Sequence, residues 1–142
     1  MAVIIHISDM HFQRSINEFD THISKIADTL FSQTPFLKVV IVISGDIANK
    51  ADPYEYKAAN AFIKRLKSRI SEKFNNISKD SITILTVPGN HDMNHNLGEL
   101  THSDLENIYK ENDFELELAK EVEKLKNYFK FAKVHDCFVT ES

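Results

Sequence analysis

The chain has 142 residues, 42% apolar and 27% charged, enough for one domain with a real core and too ordinary a composition for disorder. A formal net charge of −4 gives no support to a large nucleic-acid-binding surface. One cysteine, Cys137, excludes an internal disulfide and a cysteine metal cluster, and fits a reducing compartment. No apolar run approaches the length of a membrane span, and a first strand near Val3 leaves no room for a signal peptide. A soluble cytoplasmic protein is expected.

Val3 to Ile7 is β-branched and almost continuously apolar, the pattern of a strand buried on both faces. It runs into Ser8-Asp9-Met10-His11. If strand geometry persists there, Asp9 and His11 project to one side and both can approach one cation; a surface Asp and His in a loop is the plainer alternative. His6, inside the strand, is read as packed rather than as a ligand. A helix is predicted from Ser15 or Asn17, because Phe19, Ile23, Ile26 and Leu30 recur as one amphipathic stripe. His22 lies beside that stripe and reads as surface. Thr34-Pro35 ends the element.

Lys38 to Ile43 contains the strongest strand signal, and it stops at Ser44-Gly45-Asp46, with Asn49 following in the same loop. Gly-Asp by itself is a common turn pair. Asp52-Pro53-Tyr54-Glu55 starts a helix, with Asp52 as N-cap, Pro53 at the first helical position and Glu55 completing a capping box. Ala59, Phe62, Ile63, Leu66 and Ile70 form its apolar stripe, while Lys57, Lys64, Arg65, Lys67, Arg69 and Lys73 read as its solvated face.

Asn75 to Ser81 is a polar connection to a third strand, Ile82 to Val87. Pro88 stops this strand, Gly89 supplies a sharp turn through positive φ, and Asn90-His91-Asp92 follow at once. Pro, Gly, Asn and Asp are also the residues of plain turns. His95 comes next in a polar loop, Ser103 with Glu106 reads as a capping box, and Leu118, Val122, Leu125, Phe129 and Ala132 give a last helical stripe. Val134 to Thr140, with His135, reads as a short strand or a frayed tail. A composition shift near residue 98 separates a strand-bearing part, 1–98, from an acidic helical segment, 99–142.

Alternating strands and helices predict crossovers and a largely parallel sheet, whose ligands bind beyond the carboxyl ends of the strands. Asp9/His11, Asp46 and Asn90/His91 each fall just beyond such an end. Carboxylates, an amide oxygen and imidazoles without thiolate suit zinc, manganese or iron better than copper(I) or an iron–sulfur cluster. A carboxylate such as Asp46 can bridge two cations about 3.5–4 Å apart.

Asp9-x-His11, Gly45-Asp46 and Gly89-Asn90-His91-Asp92, in that order and each after a strand, resemble the calcineurin-like metallophosphoesterase superfamily over about residues 3 to 92. The resemblance implies an α/β fold: a metallophosphoesterase-like β-sandwich flanked by helices, represented here by its amino-terminal βαβαβ half plus the acidic helical segment. It implies two divalent metal ions, Mn²⁺ or alternatively Fe or Zn. Asp9 and His11 would bind the first, Asp46 would bridge, and Asn90 would bind the second. His91 would protonate the leaving oxygen as a metal-bound hydroxide attacks phosphorus, and Asp92 would orient His91. The family's later histidine and its Gly-His-x-His turn are not found, so segment 99–142 reads as an insertion or as the start of the other half.

The expected function is metal-dependent phosphoester hydrolysis, on a nucleotide or other phosphodiester or on a phosphomonoester, with no membrane partner. Two alternatives stand beside it. One is a catalytically inactive binding or scaffolding module, or an inactive truncated fragment; the other is a doubly wound domain whose polar turns coincide by chance.

Overall fold

A computed structural model describes residues 2–13, 19–31, 38–75, 77–95, 119 and 122–135. Several expectations fall outside these residues: a helix start at Ser15 or Asn17, the stop at Thr34-Pro35, the Ser103/Glu106 capping box, Leu118, and the tail beyond His135. The strands are β1 (Ala2–Ile7), β2 (Lys38–Ser44) and β3 (Ile82–Val87), joined through helices α1 (Phe19–Phe31) and α2 (Pro53–Lys73), with a further helix α3 (Lys126–Val134). The result is the mixed α/β architecture expected of the amino-terminal part of a metallophosphoesterase domain.

The strands form one parallel sheet in the order β1-β2-β3. Ile5 pairs with Ile41, and Ile41 with Ile84, so one row of isoleucines crosses the sheet. This row and its neighbours Val39, Ile43 and Ile82 are buried beneath the helices. α2 presents Ala59, Phe62, Ile63, Leu66 and Ile70 to that layer, and α1 presents Ile23, Ala27 and Leu30. Phe12, just past β1, fills the space between the helices, its ring centroid 4.6 Å from Phe19 and 5.5 Å from Phe62. Two surface ion pairs, Arg65 with Asp20 and Lys73 with Asp28, lash α2 to α1. Lys73 holds the Asp28 carboxyl below its usual range through hydrogen bonding and charge.

The start of α2 is built as its residues require. Asp52 accepts from the Tyr54 amide at 2.8 Å, the capping box with Glu55 is complete, and Pro53 occupies the first turn. The connection to β3 contains a 3-10 turn, Lys79–Ser81, capped by the Ser78 side chain.

Three expectations are corrected. The first strand was expected to be buried on both faces, but among the described residues only one face of the sheet is covered: Ile4 in β1 is 69% exposed and Val87 in β3 57%. The reason is topological. Successive right-handed crossovers in one direction deliver both helices to the same side of a sheet ordered 1-2-3, and α1 and α2 do contact each other. Second, His6 is not packed in the core. It lies on the open face, with Nε2 at 2.7 Å from Ser44 Oγ. Third, the buried face of α3 is Tyr128, Phe131 and Ala132, whereas Val122 is exposed and Leu125 and Phe129 are only partly buried. The helix turns this face because Tyr128 donates to the Thr86 carbonyl at 2.9 Å and Phe131 packs on Tyr56.

Ile63 is fully buried at the centre of the helix–sheet layer. Ile63→Ala is expected to lower unfolding free energy by about 2–5 kcal/mol, read as a lower urea midpoint at unchanged slope.

Candidate metal centre

Beyond the strand ends, the chain does not simply turn away. Two loops continue to bond to each other, with the His11 amide donating to the Asp46 carbonyl at 2.9 Å and the Phe12 amide to the Ile47 carbonyl at 2.8 Å. Phe12 and Ala48 form an isolated parallel bridge. The loops bearing Asp9/His11 and Asp46 are therefore in fixed register with each other.

This register is held with left-handed backbone. Asp9, His11, Asp46 and Ala51 have φ of 53°, 42°, 51° and 56°. Strand geometry therefore does not continue through Asp9-Met10-His11, and the shared side expected of an extended pair is not what brings His11 to the centre. Positive φ is uncommon outside glycine and clusters at functional sites.

The third loop reaches the second by close backbone approach. A Cβ on Gly45, itself at φ 85°, would lie 3.0 Å from Gly89 Cα; one on Gly89 would collide with Asp46 Oδ1 and lie 2.5 Å from the Asp46 amide nitrogen. Gly89 has φ −105°, so the expectation of a positive-φ turn is corrected: it is glycine for space, not for handedness. The His91 amide then donates to Asp46 Oδ1 at 3.0 Å.

Asp92 is the buried anchor of this arrangement. Its carboxylate accepts from the amides of Ile47 at 3.2 Å, Ala48 at 2.9 Å and Gly89 at 2.9 Å, and from the Tyr56 hydroxyl at 2.9 Å. Burial, then the neighbouring Asp92 charge and the hydrogen bond to it, push the Tyr56 phenol well above its usual value. Asp92 was expected to orient His91, but its oxygens are engaged elsewhere. The His91 ring is held by a backbone group: Nδ1 is 3.0 Å from the Asn49 carbonyl oxygen. A carbonyl only accepts, so Nδ1 carries the proton and Nε2 is the nitrogen left for chemistry.

His11, Asp46 and His91 come together, each half-buried, with candidate ligand atoms all within 4.8 Å of one another. The His11 and His91 rings meet edge to face at 4.6 Å. His11 Nδ1 is buried with no hydrogen-bond partner. A buried orphaned imidazole nitrogen, on a residue grouped with a carboxylate and a second imidazole, is what a divalent cation would satisfy. These three residues fit such an ion. Asp9 is exposed and stands outside the group. Asn90 is exposed at the start of the 3-10 turn Asn90–Asp92, and its carbonyl lies 3.1 Å from His95 Nε2.

Three contributors were not read as such from the sequence. Tyr56 and Glu55 are buried on the first turn of α2, where Glu55 was legible only as a cap. The Asn49 carbonyl had no sequence signal at all, since any residue offers one.

A parallel α/β sheet with a His/Asp/His group beyond its strand ends defines an α/β protein with a candidate metal site. The model of the calcineurin-like phosphoesterases matches residues 2–139, and the chain belongs to that family. Neither a curated protein nor a solved structure matches it. Among the described residues, no helix is long and apolar enough to cross a membrane.

Asp92→Ala would strand buried amides and the Tyr56 hydroxyl together. It is expected to cost on the order of 3 kcal/mol or more by urea unfolding. Tyr56 sets a pH dependence. The unfolded phenol ionises near 10.0, while the folded one holds its proton to higher pH. The stability this contributes is complete below about pH 10 and is lost as pH rises beyond it. Tyr56→Phe is expected to be the less alkali-sensitive protein, read from thermal midpoints across that window.

Proposed function

We propose that the chain is a metal-dependent phosphoester hydrolase, with His91 as general acid and Asp9, His11, Asp46 and Asn90 as the ligand set of a two-cation centre. The observation that carries this reading is the grouping of His11, Asp46 and His91, with His11 Nδ1 buried and unpartnered, in a chain of the phosphoesterase family. When bound, divalent cations, manganese first and iron or zinc as alternatives, lower the pKa of a water and neutralise phosphoryl oxygens. The protein's own part is positional. Asp46 is fixed between the Gly89 turn and the His91 amide, and His91 is fixed by the Asn49 carbonyl at Nδ1, so Nε2 is free to face the leaving oxygen and, in the doubly protonated ring, to give it a proton while Nδ1–H stays on the carbonyl. The ligand-bearing part is residues 1–98, with 99–142 as a helical segment, and the setting is cytoplasmic. A phosphodiester, including a nucleotide, is the preferred substrate class, with phosphomonoesters next; the charge balance does not favour nucleic acid.

A second reading has a specific observation in its favour. Asp9 stands outside the gathered group, and His91 lies inside it, so one cation held by His11, Asp46 and His91 would make a binding module without turnover.

The two readings diverge in one experiment. With Mn²⁺ and a chromogenic phosphodiester, His91→Ala is expected to lose about 10²–10⁴-fold in rate and to retain Mn²⁺ in calorimetry, whereas Asp46→Asn loses both. Loss of Mn²⁺ affinity in His91→Ala, with no turnover in the parent protein, would overturn the hydrolase reading in favour of the binding module.

A further inference from the structure

Glu55 is a buried carboxylate that the phosphoesterase reading leaves unused. Its Oε2 accepts from three backbone amides, those of Asn49 at 3.2 Å, Lys50 at 2.8 Å and Asp52 at 3.1 Å. A capping box needs only the last of these. The other two belong to the loop that leaves Asp46, and one of them is the amide of Asn49, the residue whose carbonyl meets His91 Nδ1. Ala51, within the same loop, is in left-handed backbone. Its carbonyl is bonded in turn by the Asn127 side chain of α3 at 2.9 Å.

We infer that Glu55 is a positioning residue for His91. By gathering the amides of the 49–52 loop on one oxygen, it fixes the Asn49 carbonyl against the imidazole, and so sets which ring nitrogen carries the proton. The logic is local. A loop carrying a left-handed alanine has other conformations open to it. A charged acceptor makes stronger hydrogen bonds than a neutral one, and burial excludes competing water. Release of the Lys50 amide, which shares a rigid peptide plane with the Asn49 carbonyl, frees that peptide to rotate, and the carbonyl then leaves Nδ1. Without that acceptor the neutral imidazole has no reason to prefer the Nδ1–H form, and Nε2 becomes protonated in a larger share of molecules. Glu55 therefore acts on the chemistry through a peptide group rather than by touching a substrate. The role rests on the hydrolase reading for its consequence, but not for its geometry.

The test uses the full chain, free of metal, with ¹⁵N-labelled histidine. At about pH 8, where an ordinary imidazole is neutral, long-range proton–nitrogen correlation reports the His91 tautomer. Wild type is expected in the Nδ1–H form. Glu55→Gln keeps an acceptor oxygen and the helix cap but loses the charge. It is expected to lower the ratio of Nδ1–H to Nε2–H about fivefold, the equivalent of roughly one net hydrogen bond. Glu55→Ala is expected to go further; if it does not fold, Glu55→Gln decides alone. Asp52→Ala weakens the same helix start through the other half of the capping box and is expected to leave the tautomer unchanged. An unaltered tautomer in folded Glu55→Gln, or an equal shift in Asp52→Ala, overturns the inference.

A second readout separates this from the hydrolase reading. With Mn²⁺, Glu55→Gln should slow diesters with poor leaving groups more than those with good ones, because only the former need the acid, and a ring that has lost the Asn49 acceptor no longer holds Nε2 toward the leaving oxygen. A tautomer shift without that leaving-group dependence upholds the positioning of the ring and overturns the acid role of His91.

Discussion

One buried carboxylate, that of Asp92, joins three parts of the molecule that the chain leaves far apart. It takes amides from the β2 loop, an amide from its own turn after β3, and a hydroxyl from the first turn of α2. Burying a charge is costly unless it is fully hydrogen-bonded, and here the donors are mostly backbone groups that would otherwise be orphaned. The exchange therefore satisfies both sides. Because the donors come from separate elements, the bonds also act as distance constraints. They bring Gly89 against Asp46 and thereby bring His91 to Asp46 and His11.

A second carboxylate, Glu55, repeats the device one step further along the same loop. The amides of Ile47 and Ala48 go to Asp92, and those of Asn49, Lys50 and Asp52 go to Glu55. A loop with only an isolated bridge to its neighbour is thus given a nearly continuous set of acceptors by two side chains. This explains how an irregular segment can be buried beside a functional edge without leaving polar groups unpaired.

Much of this was legible in the residues. The three strands were plain because β-branched runs are bounded by Ser-Asp, Gly-Asp and Pro-Gly. α2 was plain because Asp52-Pro53 and Glu55 mark its start, and the family was plain because the motifs fall in order after those strands. What was hidden depended on the third dimension. Continuous apolar runs such as Val39–Ile43 look doubly buried whether or not a second layer covers them. Asp92 adjoins His91 in sequence, which invites a pairing that the turn prevents by sending the carboxylate inward. Gly89 could be read as a turn glycine, but its true constraint is the Asp46 backbone against it. The Asn49 carbonyl and the amide-gathering role of Glu55 carry no side-chain pattern that a sequence could display. The packed face of α3 was misread because Tyr128 can be held by its hydroxyl as well as by its ring.

The left-handed residues around the centre have a bearing on how a cation would be captured. Each such conformation stores conformational free energy, and in this protein it is met during folding, by the core and the two carboxylates, rather than on ligand arrival. The donor groups of His11, Asp46 and His91 are thus preorganised. Little backbone ordering remains to offset the binding energy. Occupancy should consequently report on cation concentration with little rearrangement of the loops, and a bound ion would stabilise the fold by mass action instead of creating it.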